Sequence, residues 1–296
     1  MPLSSLQTKQ TSSRRDFLKA GLFGVAGLTL YSGEVERHWI DVAHHDVELR
    51  GLSADFHGMR VVQLSDIHMD NFTEPFFLRR VIDRINELKP DVVFLTGDFV
   101  TSGDAPNSLA HEAVWKCAAI LKGLQCQSMY AVLGNHDVST GAAEISSALR
   151  GSGVQVLRNS YLPLERGSGR LWLAGLDDPL DGKPNLDLTI PEKIRSVHNE
   201  PVVLLCHAPD YATRVLQHPA GPAIDLMISG HTHGGQIRLP LIGALVLPPM
   251  GRKFIEGWFQ LDRMRLYVNR GIGTIGVPFR LDCPPEITVF TLRSAA

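Results

Sequence analysis

Five short apolar segments of this chain each lead into a polar motif built from Asp, Asn and His. Each segment has the length and the aliphatic composition of a buried β-strand. The motifs that follow these segments are, in chain order, Asp66-Ile67-His68, Gly97-Asp98, Gly134-Asn135-His136-Asp137, His207 and Gly230-His231-Thr232-His233. Because the carboxyl ends of the strands line one crevice in an open α/β sheet, we expect these polar side chains to converge.

The spacing of apolar residues predicts alternating strands and helices beyond residue 34. The predicted strands cover residues 61–64, 92–95, 130–133, 154–157, 171–176, 202–206, 226–229, 266–268 and 287–292. The last two alternate apolar and polar residues, which suits antiparallel strands. Predicted helices cover residues 76–88, 109–121 and 142–149. Since no linker or internal repeat interrupts this pattern, we predict one domain over residues 34–296.

The composition excludes several classes of protein. Hydrophobic residues make up 44% of the chain and charged residues 20%, so bulk disorder is excluded. The 29 Lys and Arg residues nearly balance the 31 Asp and Glu residues, which leaves a net charge of −2. Without a polycationic field, nucleic acid is not an expected partner. The four cysteines form no C-x-x-C pair, which argues against a zinc ribbon or a redox motif of that type.

Residues 1–33 have the pattern of a targeting signal. The string from Ser13 to Lys19, with Arg14 and Arg15 adjacent, precedes a weakly apolar run over residues 20–31. This string resembles a twin-arginine signal, so the implied partner is the Tat export machinery and the implied location is periplasmic or otherwise extracytoplasmic. The apolar run is shorter than the roughly 20 residues that span a bilayer. No A-x-A cleavage site follows, and an uncleaved membrane anchor remains an alternative to a cleaved signal.

The residue types of the five motifs indicate a metal site. They supply carboxylate, amide and imidazole groups but no thiolate. Such ligands suit Mn²⁺, Fe²⁺ or Zn²⁺ better than copper(I) or an iron–sulfur cluster. The alternative for any single residue is structural: Asp98 alone suits an Asx turn, and His207 alone suits a packed core histidine. The ordered set of five favours the metal site.

Taken in order, the five motifs resemble those of the calcineurin-like metallophosphoesterases. The resemblance spans roughly Val61 to His233, and the Gly234-Gly235-Gln236 segment with residues 271–292 resembles the exported or membrane-associated bacterial branch of that family. The resemblance implies a four-layer α-β-β-α sandwich, in which two mixed β-sheets lie face to face with helices outside. It also implies a metal-dependent phosphoester hydrolase.

The resemblance further implies two divalent metal ions and their ligands. One ion would be bound by Asp66, His68 and His233, with Asp98 bridging. The other would be bound by Asp98, Asn135, His207 and His231. A shared carboxylate offsets the repulsion between two cations, and a pair of ions can bind one phosphate and lower the pKa of a bridging water. Two carboxylates do not neutralise two divalent ions, so the site stays positive toward an anionic ester.

The resemblance gives His136 a catalytic role, in which its ring faces the substrate and stabilises the phosphate or protonates the leaving oxygen. Protein serine/threonine phosphatases of the family carry a second Asp and an Arg shortly after the Gly-Asp motif. Here Thr101 stands in place of the carboxylate that would orient the histidine, and no arginine follows. A fixed carboxylate partner orients an imidazole and raises its pKa. Because the sequence lacks this carboxylate, we expect only weak general-acid assistance from His136. The departure favours a phosphodiesterase or a simple phosphomonoesterase over a protein phosphatase.

The substrate class is implied only by the bacterial branch. Members of that branch are associated with cleaving the pyrophosphate of UDP-2,3-diacylglucosamine in lipid A synthesis, which implies a lipid-linked or envelope phosphoester. A nucleotide phosphodiesterase and a metal-binding envelope protein with a vestigial site are the alternatives. The apolar residues 239–249 suit either contact with a membrane surface or a buried β-hairpin.

We predict that replacing Arg14 and Arg15 together by lysine leaves the protein in the cytoplasm, folded and active. The export pathway reads the arginine pair as an address, whereas the fold begins beyond it. Cell fractionation measures the outcome, and normal export of the double-lysine variant would show that the signal is not of the twin-arginine type. Retention of the wild type in membranes after a high-pH carbonate wash would favour the uncleaved anchor.

Overall fold

Two six-stranded mixed β-sheets pack face to face in the computed structural model, which describes residues 14–69, 72–102, 109–197 and 199–294. Sheet A has the strand order β1 (Asp41–Leu49), β14 (Glu286–Ser294), β2 (Arg60–Leu64), β3 (Val92–Leu95), β4 (Met129–Ala131) and β5 (Gln155–Val156). Sheet B has the order β12 (Gly257–Leu261), β13 (Met264–Val268), β9 (Leu226–Ser229), β8 (Val202–Leu205), β7 (Gly169–Gly175) and β6 (Ser160–Arg166). Strands β10 (Arg238–Leu239) and β11 (Gly243–Ala244) form a separate hairpin.

Helices cover the outer face of each sheet. Sheet A packs against α2 (Pro75–Leu88), α3 (Leu109–Leu121) and α4 (Asn135–Gly151). Sheet B packs against the short helices α5 (Leu186–Thr189), α6 (Glu192–Arg195) and α7 (Ala212–Gln217). A third apolar layer lies between the sheets and contains Phe94 from sheet A and Val203 from sheet B. The predicted four-layer α-β-β-α sandwich is therefore confirmed.

Most strands were predictable from local sequence, and the strands of the two sheets that were missed lie at sheet edges. All nine predicted strand segments contain observed strands, although β4 ends at Ala131 and β5 has only two residues. The strands that sequence patterns missed are β1, β6 and β12, each at or near a sheet edge. The expectation of antiparallel pairing for the tail was half right: β14 is antiparallel to β2 but parallel to β1, and β13 is antiparallel to β12 but parallel to β9.

The N-terminal segment is helical from its first described residue. Helix α1 (Arg14–Leu30) continues into a π-helical turn (Tyr31–Val35) and a 3₁₀ turn (Glu36–His38). Ser32, Gly33, Glu36 and Arg37 are buried against the sandwich, so the chain around the predicted signal boundary packs onto the domain. Residues 1–13 of the predicted signal lie outside the described residues. No described helix is both long and apolar enough to cross a membrane.

The carboxylate of Asp137 joins the loops that follow β3 and β4. Its Oδ2 accepts hydrogen bonds from the backbone N–H groups of Asp98 at 2.8 Å and Gly134 at 2.9 Å, and its Oδ1 accepts from that of Phe99 at 2.9 Å. Burial, followed by the nearby Asp98 carboxylate, raises the pKa of Asp137 to about 7. One side chain thus satisfies three backbone donors at the carboxyl edge of sheet A.

We predict that Asp137→Ala lowers the free energy of unfolding of the metal-free protein by roughly 3 kcal/mol or more. Each backbone N–H that loses its acceptor while buried costs about 1–3 kcal/mol, and three donors lose theirs. Denaturant unfolding measures the effect, with Asp83→Ala on the exposed face of α2 as the control, expected within about 0.5 kcal/mol of wild type. Equal stability of both variants would contradict the role given to Asp137.

Candidate metal centre

Two groups of metal-ligating side chains that share no residue lie at the carboxyl ends of strands from both sheets, and a third combination, His68, Asp98 and His136, overlaps the two. Within each group, one potential ligand atom of each residue lies within 4.8 Å of the others. The first group contains Asp66, His68 and His233, and the second contains Asp98, His207 and His231. Asp66, His68 and Asp98 follow strands of sheet A, whereas the other three histidines follow strands of sheet B. The predicted convergence of the motifs is therefore observed.

The buried carboxylate of Asp98 faces both groups. Its Oδ2 lies 3.4 Å from Nε2 of His68 and 3.1 Å from Nε2 of His207. Its Oδ1 accepts a hydrogen bond from the backbone N–H of His136 at 3.0 Å. Although burial opposes ionisation, the imidazoles of His207 and His68 hold the pKa of Asp98 well below its usual range. A single anionic oxygen is thus shared between the two groups.

Hydrogen bonds to backbone carbonyls fix which nitrogen of two histidines carries the proton. Nδ1 of His207 lies 2.6 Å from the carbonyl oxygen of Thr96, and Nε2 of His231 lies 2.7 Å from that of Pro249. A carbonyl only accepts, so both of these nitrogens must donate. The other nitrogens, Nε2 of His207 and Nδ1 of His231, lie 3.2 Å apart. Although burial opposes its charged form, the Asp98 carboxylate raises the pKa of His207 well above its usual value, so a cation at this point would take the place of the proton on Nε2.

Two further observations fit a bound cation. Oδ1 of Asn135, the first residue of α4, is buried and has no hydrogen-bond donor among the described residues. Burial, followed by His207, lowers the pKa of His231 to about 4. Burial, followed by His68, lowers the pKa of His233 well below its usual range. A divalent metal binds imidazoles in their neutral form, and an unsatisfied amide oxygen is also a suitable ligand.

The backbone at this site is conformationally strained. Five of the seven predicted ligands have φ angles in the left-handed region, between 45° and 75°, and these are Asp66, His68, Asp98, His231 and His233. Glycines provide the space for these turns. A Cβ on Gly134 would lie 2.1 Å from Oδ1 of Asp98, and one on Gly230 would lie 2.3 Å from Oδ2 of Asp66. Such strain is retained where the surrounding packing and bonds outweigh it, which is typical of functional sites.

The loop after β3 brings Ser102 to His136. Oγ1 of Thr101, which stands in the sequence in place of an orienting carboxylate, lies 3.1 Å from Nδ1 of His68. The backbone N–H of Ser102 donates to Nδ1 of His136 at 3.1 Å, and its Oγ lies 2.8 Å from the same nitrogen. Because Nδ1 accepts this bond, the proton of the neutral ring is on Nε2. Burial also lowers the pKa of His136.

Sequence patterns missed four groups that support the site: Asp137, Ser102 and the backbone carbonyls of Thr96 and Pro249. Asp137 belongs to the Gly-Asn-His-Asp motif, so its position was visible although its three backbone contacts were not. Ser102 is one residue away from the expected partner. No side-chain signal marks a carbonyl, and Pro249 approaches His231 only through the folded loop.

A cleft of about 780 Å³ opens beside the two groups. One part of its wall is polar and contains Asp98, Asn135 and His136, and another part is apolar, with Leu245 and Val277 among its residues. The apolar loop that follows the metal-site histidines forms the β10–β11 hairpin. A hairpin was one of the two predicted alternatives, but it was expected to be buried, and its tip is exposed. The cleft therefore combines a polar part with an apolar part, which is called its apolar rim.

Comparison with known proteins identifies relatives over nearly the whole chain. A Bacillus subtilis protein, the uncharacterized metallophosphoesterase YkuE, is 36% identical over 95% of this chain and 98% of its own length. The Escherichia coli phosphodiesterase YaeI is 28% identical over 95% of this chain and 99% of its own. The UDP-2,3-diacylglucosamine pyrophosphatase LpxG of Chlamydia trachomatis is 27% identical over 87% of this chain and 91% of its own.

The model of one protein family also matches the part of the chain that forms the site. The matched residues, 59–235, include every strand-end motif described above. Together with the identity to YkuE over almost the full length, this match shows that the chain belongs to the calcineurin-like phosphoesterase family.

Proposed function

We propose that this hydrolase uses two divalent metal ions to cleave a phosphodiester or pyrophosphate bond in a lipid-linked or envelope substrate. Membership of the family makes the chain a metal-dependent phosphoester hydrolase. The position of Asp98 Oδ2, between a histidine of each ligand group, is the observation that carries the two-ion proposal.

The ligands in this proposal divide between two positions. One ion is assigned to Asp66, His68 and His233, and the other to Asn135, His207 and His231, with the Asp98 carboxylate shared. When bound, two such ions polarise the phosphoryl group and lower the pKa of a water molecule between them. Mn²⁺, Fe²⁺ and Zn²⁺ all suit this mixture of oxygen and imidazole ligands.

His136 is proposed to act on the substrate through its Nε2–H group. The ring lines the cleft, and its Nδ1 is occupied by the backbone N–H of Ser102. A neutral ring in this tautomer donates a hydrogen bond to the substrate, either to a phosphoryl oxygen or to the leaving oxygen. It is a weaker acid than an imidazolium, so its contribution falls at the lower end of general-acid catalysis.

The apolar wall of the cleft supports a substrate with an apolar portion next to its phosphoester. Residues such as Ile237, Leu245 and Val277 face the same cleft as Asp98 and His136. A nucleotide phosphodiester alone would leave this surface in contact with water. The name of the LpxG relative, a UDP-2,3-diacylglucosamine pyrophosphatase, points to the same chemistry.

The site of action is proposed to lie outside the cytoplasm. Arg14 and Arg15 stand just before an apolar run, in the arrangement of a twin-arginine signal. A protein with an internally bound pair of metal ions benefits from a pathway that exports folded proteins. The Tat machinery is therefore part of the proposal.

We expect the metal-reconstituted protein to hydrolyse bis-(p-nitrophenyl) phosphate and Asp98→Asn to lose both this activity and both metals. The substitution removes the negative charge that offsets repulsion between two cations. Elemental analysis gives metal content independently of activity, and Asp83→Asn on α2 is the control that keeps both ions. Full metal content in Asp98→Asn would exclude a bridging role.

The same assay, extended to lipid-linked and nucleotide phosphoesters, tests the substrate class. Preference for an ester that carries an acyl chain supports the proposal. A preference of tenfold or more for nucleotide diesters would favour the alternative. Absence of hydrolysis by the fully metal-loaded protein, with any of these esters, would indicate a vestigial site.

We predict that His136→Ala keeps both metals but lowers kcat by about 10²-fold, the lower end of the general-acid range. The loss should be larger for a poor alkoxide leaving group than for p-nitrophenolate, which hardly needs a proton. Ser102→Ala is the matched variant, since it keeps the backbone donor to Nδ1 and should lose less activity. Loss of metal from His136→Ala would make this residue a ligand, and equal losses with both leaving groups would make it a binding group only.

A further inference from the structure

We propose that helix α1 and the tip of the β10–β11 hairpin, residues 241–246, form one docking surface for a lipid bilayer that contains anionic lipid. This surface would place the apolar rim of the cleft against the membrane. The part of the inference that concerns access of substrate rests on the proposed function, whereas the docking itself does not.

Helix α1 exposes apolar side chains on all of its sides. None of its residues is buried, and no charged residue occurs between Ala20 and Leu30. Leu22 and Phe23 are 70% and 76% exposed, and Leu28 is also exposed. At about 100° of rotation per residue, these three side chains point to three different sides of the helix. Because the apolar part of the helix has no polar face to turn toward water, this distribution favours contact with lipid.

The hydroxyl groups near the end of this helix are satisfied by the helix itself. Thr29 Oγ1 donates to the carbonyl oxygen of Val25 at 2.9 Å, and Ser32 Oγ donates to that of Leu28 at 2.8 Å. In hydrocarbon, a polar group without a partner costs several kcal/mol. These internal bonds make the apolar segment compatible with a lipid environment.

The hairpin tip is a second apolar surface. Ile242 and Val246 are 71% and 78% exposed, and Leu241 is fully exposed at a left-handed turn position with a φ of 67°. The chain carries no charged residue from Leu239 to Met250. A cluster of exposed aliphatic side chains without charges is unusual on a soluble surface and marks an interaction site.

The end of the helix and the hairpin are joined through one segment of the chain. The backbone N–H of Arg280 donates to the carbonyl oxygen of Ser32 at 3.0 Å, and Gly33 lies against the ring of Phe279. Leu281, the next residue, accepts a hydrogen bond from the hairpin: its carbonyl oxygen lies 2.9 Å from the backbone N–H of Arg238. Helix and hairpin therefore attach to residues 279–281 and would meet the same membrane.

Two side chains, Glu36 and Arg37, keep the attached end of the helix in place. The buried carboxylate of Glu36 accepts a hydrogen bond from the backbone N–H of Cys283. The guanidinium of Arg37 forms an ion pair with Glu74 and also donates to the carbonyl oxygen of Phe72. Because this end is fixed by buried polar contacts, insertion of α1 would also fix the orientation of the sandwich.

The surface is continuous with the cleft. Leu245 and Val246 of the hairpin and Val277 line the cleft that also contains Asp98 and His136. A lipid-linked phosphoester could therefore pass from the bilayer into the cleft without its acyl chains entering water. This path would explain why the metal-site cleft has an apolar rim.

The charges of α1 favour an anionic membrane. Arg14, Arg15 and Lys19 lie in its first two turns, with Asp16 as the single acidic residue. Each basic residue near an anionic membrane surface adds electrostatic attraction. Apolar insertion and basic flanking residues together form the two signals that stable membrane binding requires.

The experiment measures flotation of the full-length protein with vesicles of phosphatidylcholine containing phosphatidylglycerol. We expect wild type to float with these vesicles. The double variants Leu22→Glu with Phe23→Glu, and Leu241→Glu with Ile242→Glu, should each weaken binding by at least about tenfold. Leu188→Glu, at an exposed leucine of α5, is the matched control and should bind within about twofold of wild type.

Hydrolysis of bis-(p-nitrophenyl) phosphate separates docking from catalysis. The hairpin variant should keep this activity, since Leu241 and Ile242 are not among the residues that line the cleft. Wild type that stays unbound to vesicles, or a hairpin variant that binds as tightly as wild type, would overturn the inference. A soluble dimer that does not bind vesicles would instead assign the surface to a second copy of the chain. Vesicle binding by a metal-loaded protein without hydrolytic activity would contradict the proposed function and leave the docking intact.

Discussion

The carboxylate of Asp98 lies buried between histidines that come from different sheets, and the geometry of the site depends on this contact. His68 follows β2 of sheet A, and His207 follows β8 of sheet B. Removing a carboxylate from water is costly unless its oxygens gain strong partners. Here the oxygens gain two imidazoles and the backbone N–H of His136. Asp98 therefore couples the packing of the two sheets to the assembly of a cation site.

The strained backbone around Asp98 is stabilised by contacts that extend well beyond the ligands. Both carboxylate oxygens of Asp66 share one bifurcated hydrogen bond from the backbone N–H of His231, which ties the first motif to the last across the two sheets. Asp137 satisfies three donors in the loops after β3 and β4. Left-handed φ angles at several ligands would each be unfavourable alone, but these bonds outweigh that cost. The fold thus holds the ligand side chains through contacts of its own, which is the kind of support that a metal site needs.

The two walls of the cleft serve different parts of one substrate in the proposed function. The polar wall offers Asn135, His136 and the Asp98 carboxylate, whereas the apolar wall continues into the exposed hairpin tip. This arrangement makes the orientation of the protein at a membrane relevant to its chemistry. A helix that is apolar on every side and a hairpin without charges are both attached to residues 280 and 281 through backbone hydrogen bonds. The same physical requirement, removal of apolar surface from water, would then govern both docking and substrate binding.

The sequence by itself determined the family, the positions of most buried strands along the chain and the residues that could bind metal. It could do so because buried strands are short aliphatic runs and because ligands stand directly at their ends. Only the tertiary structure decided which groups touch. Strand β1 pairs with β14 from the other end of the domain, a contact that no local pattern encodes. The loop after β3 places Ser102 against His136 and Thr101 against His68. Backbone carbonyls fix the histidine tautomers, and carbonyl positions follow from the fold and not from residue type.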